Sequence, residues 1–412
     1  MRRETTKTKD RTGWVPRAWA GLLLVGAAGF ALSAAGCAGV SSTGPSLTSA
    51  STTVSTSAPS STLPGGPLPK AAAESDLVVE VVAEGLDVPW EIRFFPDGAL
   101  LVTERAGRVL RIDLHTGAIA ELGRLPVAQE GEGGLLGAAL DPDFPSSPYF
   151  YVAYTYRADG TDSGLANRVS RLTVEGDVLG EERVLVDGIP GAGNHDGARV
   201  AFGPDGYLWV TTGDASKGER AQDLESLAGK VLRMDREGRP ADGNPFGDSL
   251  VYSYGHRNPQ GLAWLAGDPE PFVTEHGPSE NDEVNHIQAG GNFGWPLVAG
   301  SGGGPEFVDP VYSWTPTIAP AGAVFYESDA IPGWRGSLLF VTLKQSDLRR
   351  LSPTDASFGE IAEEEVLFDG LFGRLRSIAI GPEGALYMGT SNRDGRGDTR
   401  TGDDKILRIS AR

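Results

Sequence analysis

The chain has 412 residues, of which 40% are hydrophobic and 22% are charged, a composition that suits one large globular domain or two smaller ones. Its formal net charge of -19 argues against a nucleic-acid partner, because such a partner is bound through a basic face. Cys37 is the single cysteine, so no disulfide within the chain can stabilise the fold.

The N-terminus has the organisation of an export signal. Basic residues are frequent up to Arg17, and an apolar run from Ala18 to Ala35 follows. The segment 32–37 resembles a bacterial lipobox, which predicts that residues 1–37 are a signal peptide and that Cys37 is lipidated. The alternative is an uncleaved anchor, since about 18 apolar residues are just enough to span a bilayer. Both interpretations predict an exported protein, attached to the cell membrane on its extracytoplasmic face.

The folded part is predicted at residues 76–412, after a Ser/Thr/Pro-rich tether at 38–75. Short alternating apolar runs bounded by Gly, Pro and Asp indicate an all-β fold. One strand–turn–strand hairpin recurs, clearly at 91–104, 199–212 and 377–390, and in degenerate form at 135–154, 261–275 and 322–342. This repeat predicts a six-bladed β-propeller with long loops on one face, and a pair of β-sandwiches is the alternative.

A histidine in a glycine-rich loop is the first candidate for chemistry. His195 directly precedes the second clear hairpin, and Asp214 follows it. A neutral imidazole can accept a hydroxyl proton, and a carboxylate can orient the ring. The alternative is a histidine that only satisfies loop carbonyls.

Two other loops are rich in polar groups. The segment 254–261 carries Arg257 and Asn258, whose donors suit a carboxylate or a quinone oxygen. The segment 274–285 is rich in oxygen ligands, which makes calcium plausible and zinc implausible. A solvated acidic loop is the alternative interpretation of the second segment.

Three cations precede or follow strands of the last two predicted blades: Lys344, Arg374 and Arg376. In a chain this acidic, the set indicates an anionic ligand. Each one taken singly is also typical of a surface side chain whose stem covers apolar surface. The sequence has no Gly-x-Gly-x-x-Gly between a strand and a helix, which argues against a nicotinamide cofactor.

Taken together, these segments resemble the soluble dehydrogenases that use pyrroloquinoline quinone (PQQ), the glucose/sorbosone dehydrogenase family. The resemblance extends in order from about Gly85 to Ile409. Its strongest parts are the segments 131–137, 141–144, 255–262, 275–278, 282–283 and 290–296.

The resemblance implies a propeller with PQQ at the mouth of its channel, oxidising the C1 hydroxyl of an aldose to the lactone. His195 resembles the family's general base, Asp214 the carboxylate that orients it, and Arg257 the arginine beside the reactive quinone carbonyls. Positions that match other cofactor contacts are Glu132, Asn258, Thr317, Lys344, Arg374 and Arg376.

The resemblance also implies calcium. The carbonyls of Gly277 and Pro278 resemble ligands of the calcium ion that binds PQQ and polarises it. Glu283 and the backbone of Phe293 resemble part of a second, structural calcium site.

The predicted substrate contacts are Glu132, Asn194 and Tyr312, and two of them depart from the family pattern. Glu132 stands where the glucose enzymes have glutamine, and Asn194 where they have aspartate. The family's stacking tryptophan falls on Thr315, one place after Trp314. These departures put the preferred sugar in doubt, although the predicted redox core is complete.

Two other functions remain as alternatives. A calcium-dependent propeller hydrolase, such as a lactonase, would share the metal and the fold. A non-catalytic lipoprotein would use its propeller to bind a glycan or a protein. The three cations favour the dehydrogenase, because a hydrolase does not need them around one ligand. The electron acceptor, a quinone or a cytochrome, is not indicated by the sequence.

Overall fold

The computed structural model describes residues 71–412; the predicted signal peptide, Cys37 and most of the predicted tether lie outside the described residues. Regular structure in this part is nearly all β, with short 3-10 helices at Glu74–Asp76 and Gly218–Ala221. None of the helices in residues 71–412 is long and apolar enough to cross a membrane. The all-β prediction is confirmed.

The strands form six antiparallel sheets, one for each propeller blade. The first strand, β1 (Leu77–Ala83), belongs to the last blade. Blade 1 consists of β2 (Pro89–Phe94), β3 (Leu100–Glu104), β4 (Arg108–Ile112) and β5 (Ile119–Arg124). Blade 2 consists of β6 (Leu135–Leu140), β7 (Tyr149–Arg157), β8 (Leu165–Glu175) and β9 (Val178–Pro190). Blade 3 consists of β10 (Gly197–Phe202), β11 (Leu208–Thr212), β12 (Lys230–Met234) and β13 (Val251–Tyr254).

The second half of the ring follows the same plan. Blade 4 consists of β14 (Phe272–Glu275), β15 (Asp282–His286) and β16 (Tyr312–Trp314). Blade 5 consists of β17 (Pro320–Phe325), β18 (Leu338–Thr342), β19 (Leu348–Pro353) and β20 (Ile361–Leu367). Blade 6 consists of β21 (Leu375–Ile380), β22 (Leu386–Thr390) and β23 (Ile406–Ala411), together with β1. Because β1 pairs with β23, the two ends of the propeller domain share one sheet and close the ring. The six-bladed prediction is confirmed.

The hydrophobic core is divided among the blade interfaces. Six buried clusters are found, and each contains side chains from two neighbouring blades. Between blades 1 and 2, for example, Leu101 and Val109 pack with Phe150 and Val152. Burial of apolar surface between successive sheets, rather than within one central core, therefore stabilises the ring.

The six predicted hairpins are the two inner strands of the six blades. Five have a regular innermost strand, whereas in blade 4 only isolated bridges, Pro259 to Glu275 and Ala263 to Phe272, take its place. Pro259 lacks an amide donor, and a side chain at Gly261 would collide with the hydroxyl of Thr274. The hairpin at 261–275, which the sequence showed only in degenerate form, therefore occupies the expected place without a regular inner strand.

The innermost strands all run in the same direction through the channel. We call the end at which they begin the upper end, and the end at which they finish the lower end. The last residues of the innermost strands, such as Phe94, Leu140 and Phe202, line a lower cavity of about 530 Å3. The loops that precede these strands meet at the upper end.

Candidate functional site

Most of the predicted site residues lie in upper-end loops or in the strand residues next to them. The loops connect the outer strand of one blade with the inner strand of the next, or β11 with β12, β14 with β15, and β18 with β19. These loops carry Glu132, Asn194, His195, Asp214, Arg257, Asn258, Gly277, Pro278, Thr317, Lys344 and Arg374, and Phe293 lies in the long connection between β15 and β16. Glu283 lies in β15 and Arg376 in β21.

His195 and Asp214 form a hydrogen-bonded pair. Nδ1 of His195 lies 2.9 Å from Oδ1 of Asp214, and the carboxylate is almost fully buried. Because a carboxylate accepts, Nδ1 carries the proton of the neutral ring and Nε2 remains an acceptor. His195 has φ of 61°, a left-handed backbone that is uncommon outside glycine and that the surrounding loop must hold. The pair has the geometry of an oriented general base.

Glu132 reaches the same point from the loop before β6. Its Oε2 accepts the His195 backbone N–H at 3.2 Å, and its own backbone N–H donates to Gly193 at 2.9 Å. Its Oε1 accepts a 2.6 Å ion pair from Arg396, in the loop between β22 and β23. The predicted charge beside the base is present, and a cation from another blade partly neutralises it.

The loop before β14 is joined to the base through its main chain. The Asp214 N–H donates to the Arg257 carbonyl at 2.8 Å, and Asn258 Oδ1 accepts the Gly197 N–H at 3.2 Å. The Arg257 guanidinium donates to the Gly277 carbonyl at 2.7 Å. Burial lowers the pKa of Arg257, which shows that its charge is incompletely solvated.

The predicted calcium residues surround a small cavity of about 10 Å3, enough for one water-sized sphere. Gly277, Pro278, Glu283 and Phe293 all line it. Burial, with the nearby Glu275 carboxylate, raises the pKa of Glu283. In residues 71–412, no group of three or more His, Cys, Asp or Glu side chains has an arrangement that could hold a metal ion.

The predicted cations form a connected set on blades 5 and 6. Lys344 Nζ donates to the Thr317 hydroxyl at 2.5 Å, and the Arg374 guanidinium donates to the Leu343 carbonyl at 2.8 Å. Arg374 also pairs with Asp394 at 2.8 Å.

Arg376 is more deeply buried than the other cations of the set. It shares the Asp394 carboxylate with Arg374, at 3.4 Å, and burial lowers its pKa to about 10. One carboxylate therefore serves two guanidinium groups, and the set keeps an excess of positive charge.

Two predicted substrate contacts differ in their surroundings. The Asn194 side chain accepts from the Ser216 hydroxyl, next to the His195 loop. Tyr312 packs against Trp314, and its hydroxyl donates to Glu364 at 3.2 Å, on the outer strand of blade 5. β16 is the outer strand of its blade, and the role of Tyr312 as a sugar contact stays a prediction.

Several residues at the upper end were missed from the sequence. Trp295 donates from Nε1 to Oδ2 of Asp214 at 2.7 Å, and Arg105 donates to the carbonyls of Gly131 and Asp394 at 3.1 and 3.4 Å. Trp295 stands in the segment 290–296 that carried part of the resemblance, so a signal existed but gave no role. The contacts of Arg105 with Asp394 and of Arg396 with Glu132 join residues more than 260 positions apart, and nothing local in the sequence indicates them.

Comparison with known proteins agrees with this geometry. The family model described as Glucose / Sorbosone dehydrogenase matches residues 86–407. The chain belongs to the glucose/sorbosone dehydrogenase family. The prediction of that family from the sequence is confirmed, and membership makes the protein an enzyme of the sugar dehydrogenase type.

Individual members of the family are similar over most of the chain. Aldose sugar dehydrogenase YliI of Escherichia coli is 33% identical over 365 residues, covering 83% of this chain and 95% of the relative. Quinoprotein glucose dehydrogenase B of Acinetobacter calcoaceticus is 28% identical and covers 75% and 84%. The solved structure of aldose sugar dehydrogenase from Streptomyces coelicolor in its PQQ-bound form is 39% identical, with a TM-score of 0.73, and covers 84% and 100%.

Proposed function

We propose that the protein is a PQQ-dependent aldose sugar dehydrogenase that oxidises the C1 hydroxyl of a sugar to the lactone. The observation that carries this proposal is the His195–Asp214 pair, with its Nδ1 contact of 2.9 Å, near the partly buried Arg257 side chain. An oriented base next to a cation suits removal of a hydroxyl proton while negative charge develops on an acceptor. The names of the related dehydrogenases support the same substrate class.

The donor set at the upper end fits PQQ, which carries three carboxylates and two quinone oxygens. Burial lowers the pKa of Arg105, Arg257 and Arg376, so each guanidinium would be stabilised by an anionic ligand. The buried Nε atoms of Arg105 and Arg257 have no hydrogen-bond partner among the described residues. When bound, PQQ would supply the acceptor for a hydride.

The residues proposed to hold PQQ are Lys344, Arg374 and Arg376 for its carboxylates, with Arg257, Asn258, Thr317 and Glu132 as further contacts. Their arrangement on four blades would fix the plane of a rigid ring system. Guanidinium groups suit this task because they bind carboxylates through two parallel donors.

His195 would take the proton of the C1 hydroxyl at Nε2 as the C1 hydrogen leaves with its electron pair. Asp214 would keep the proton at Nδ1 and stabilise the imidazolium that results. Arg257 would stabilise the negative charge that accumulates at the acceptor oxygen. Glu132, Asn194 and Tyr312 would contact the other sugar hydroxyls. The lactone would form as His195 receives one proton and the bound cofactor accepts the C1 hydrogen with its two electrons.

Calcium is proposed at the small cavity beside Gly277 and Pro278. The cavity lined by Gly277 and Pro278 has room for one small ion, and the Gly277 carbonyl, which accepts from Arg257, would exchange that donor for the ion. The raised pKa of Glu283 indicates a carboxylate that a positive ion would stabilise. Glu283 and the Phe293 carbonyl would serve the second, structural ion. Within the described residues the side-chain carboxylates alone do not make a site, so the proposed ligands are mainly main-chain oxygens.

Export and lipid attachment through Cys37 are also proposed, on the sequence of residues 1–37 alone. Metabolic labelling with a radioactive fatty acid should mark the wild-type protein and not a Cys37→Ala variant. Equal labelling of both proteins would contradict the lipobox interpretation.

The function is tested by dye-linked oxidation of a panel of aldoses by the full chain, with PQQ and calcium added together or omitted singly. His195→Gln is compared with His286→Gln, because His286 also has an aspartate partner, Asp268 at 3.1 Å, but lies on the lower side of blade 4. We expect the wild-type protein to oxidise aldoses only when PQQ and calcium are both present. The rate should fall about a thousandfold in His195→Gln and stay near the wild-type rate in His286→Gln. Absence of activity, with no spectral change on adding PQQ, would favour a binding propeller.

A further inference from the structure

Trp295 contacts both charged groups that flank the proposed reaction centre. Its indole Nε1 donates to Oδ2 of Asp214 at 2.7 Å. The guanidinium carbon of Arg257 lies 5.3 Å from the centre of its ring, within the range of a cation–π interaction. A single half-buried side chain therefore joins the carboxylate partner of His195 to the cation beside it.

The main chain of Trp295 is fixed without the help of the indole N–H. Its backbone N–H donates to the Gly255 carbonyl at 3.0 Å, and its carbonyl accepts from Gln222 at 2.7 Å. Gln222 and Asn292 also exchange two amide hydrogen bonds of 2.9 Å. A phenylalanine at position 295 would therefore keep the loop conformation and an aromatic ring beside Arg257 while removing the indole N–H donor.

The two oxygens of Asp214 are held unequally. Oδ1 accepts from the His195 ring and from the Ser216 backbone N–H at 2.7 Å, whereas Oδ2 accepts only from Trp295 among the described residues. A donor on each oxygen prevents the carboxylate from rotating about its bond to Cβ. The same donor withdraws negative charge that would otherwise act on the imidazole.

We propose that Trp295 is a positioning residue for the dehydrogenase, holding Asp214 against His195 and limiting how strongly the carboxylate retains a proton on the ring. This inference rests on the proposed roles of His195 and Asp214. Without the indole N–H, the less neutralised carboxylate would stabilise the imidazolium, and a smaller fraction of the enzyme would have a free base at a given pH.

The other charged groups near His195 remain in place when Trp295 is changed. Glu132 accepts the His195 backbone N–H, Asp196 is the next residue in the chain, and Arg257 lies across the Asp214 loop. Since Trp295 has no hydrogen bond to Glu132 or Asp196, the effect of these two carboxylates on the His195 titration is the same in the wild type and the variant.

The test is Trp295→Phe in the full chain, with Trp264→Phe as the matched control. Trp264 also donates its indole N–H, to the Pro269 carbonyl at 3.2 Å, but it lines the lower cavity. The titration of the His195 ring is followed by NMR of its Cε1–H without cofactor, and kcat and KM are measured across pH with PQQ and calcium present.

We expect the His195 titration midpoint and the acid limb of kcat/KM to move to higher pH by about half a unit in Trp295→Phe, and kcat to fall about tenfold. KM should stay within about twofold, because Trp295 is not proposed to contact sugar. Trp264→Phe should change none of these quantities.

An unmoved titration midpoint, with only lower thermal stability, would overturn the proposal and leave Trp295 as a packing residue. If Trp295→Phe does not fold, Gln222→Leu loosens the same loop while keeping the indole, and a smaller shift in the same direction is required. The NMR titration separates the two hypotheses: a shifted midpoint in a protein without dehydrogenase activity would refute the proposed function and not the contact.

Discussion

The two ends of the propeller channel are built on opposite principles. At the lower end, the innermost strands finish in apolar residues such as Phe94 and Phe325, and short turns connect them with the second strands. At the upper end, long loops from all six blades bring charged groups together, and several are nearly inaccessible to water, among them Asp214 and Arg376. The lower end therefore consists mainly of apolar strand ends and turns, whereas the upper end contains buried charged groups that the packed blades hold in place.

Buried charge is expensive unless each group has partners, so the upper end depends on contacts between blades. Glu132, in the loop between blades 1 and 2, pairs with Arg396 of blade 6, and Arg374 donates to the Leu343 carbonyl of blade 5. No single blade contains a complete set of partners. The ring, which the pairing of β1 with β23 closes, must therefore form before the site can exist.

The largest expected effect is the difference between isosteric changes at two aspartates, one at each end of the channel. Asp214→Asn removes the charge that fixes the His195 tautomer, and we expect kcat to fall about a thousandfold in the dye-linked assay. Asp268→Asn makes the same change beside His286 at the lower end, 3.1 Å away, and should leave kcat within about twofold. Comparable losses in both variants would refute the division between the two ends.

The second effect concerns the cofactor. Arg376→Met removes a buried guanidinium whose pKa burial lowers to about 10, and we expect the dissociation constant of PQQ to rise between about tenfold and a hundredfold. The control is Arg93→Met, because the Arg93 guanidinium lies at the lower cavity and donates to the carbonyls of Ala138 and Val200 at 3.1 and 3.2 Å. PQQ affinity is measured by quenching of tryptophan fluorescence, and an unchanged affinity in Arg376→Met would remove this residue from the proposed site.

The difference between the ends also explains what the sequence could predict. The lower turns are local: in Gly203-Pro-Asp-Gly206 the Gly206 N–H donates to the Gly203 carbonyl at 3.0 Å, and the same bond recurs at 2.8 Å between Gly384 and Gly381. Their repetition was sufficient to predict six blades. The repeat at 261–275 was visible only in degenerate form, and it is the blade position at which isolated bridges replace a regular inner strand.

The upper end was predicted only in part because its partners are distant in the chain. His195 and Asp214 flank one hairpin, so their pairing followed from the hairpin itself. Arg105 and Asp394 lie 289 positions apart and meet only through ring closure. Similarity of sequence did not indicate that Tyr312 lies on an outer strand, β16. Trp295 had no assigned role, because an indole donor has no pattern of its own.

The smallest expected effect is on stability alone, at a lower turn. Gly206 has φ of 77°, and a Cβ there would meet no atom within 4 Å, so Gly206→Ala introduces backbone strain without a collision. We expect the free energy of unfolding to fall by about 1 kcal/mol, measured by urea denaturation, with kcat and KM unchanged. Gly359→Ala, at a surface glycine without positive φ, should be nearly neutral. If Gly206→Ala lowered kcat as well, the lower turns would be coupled to the upper loops, and the two ends would not be energetically separate.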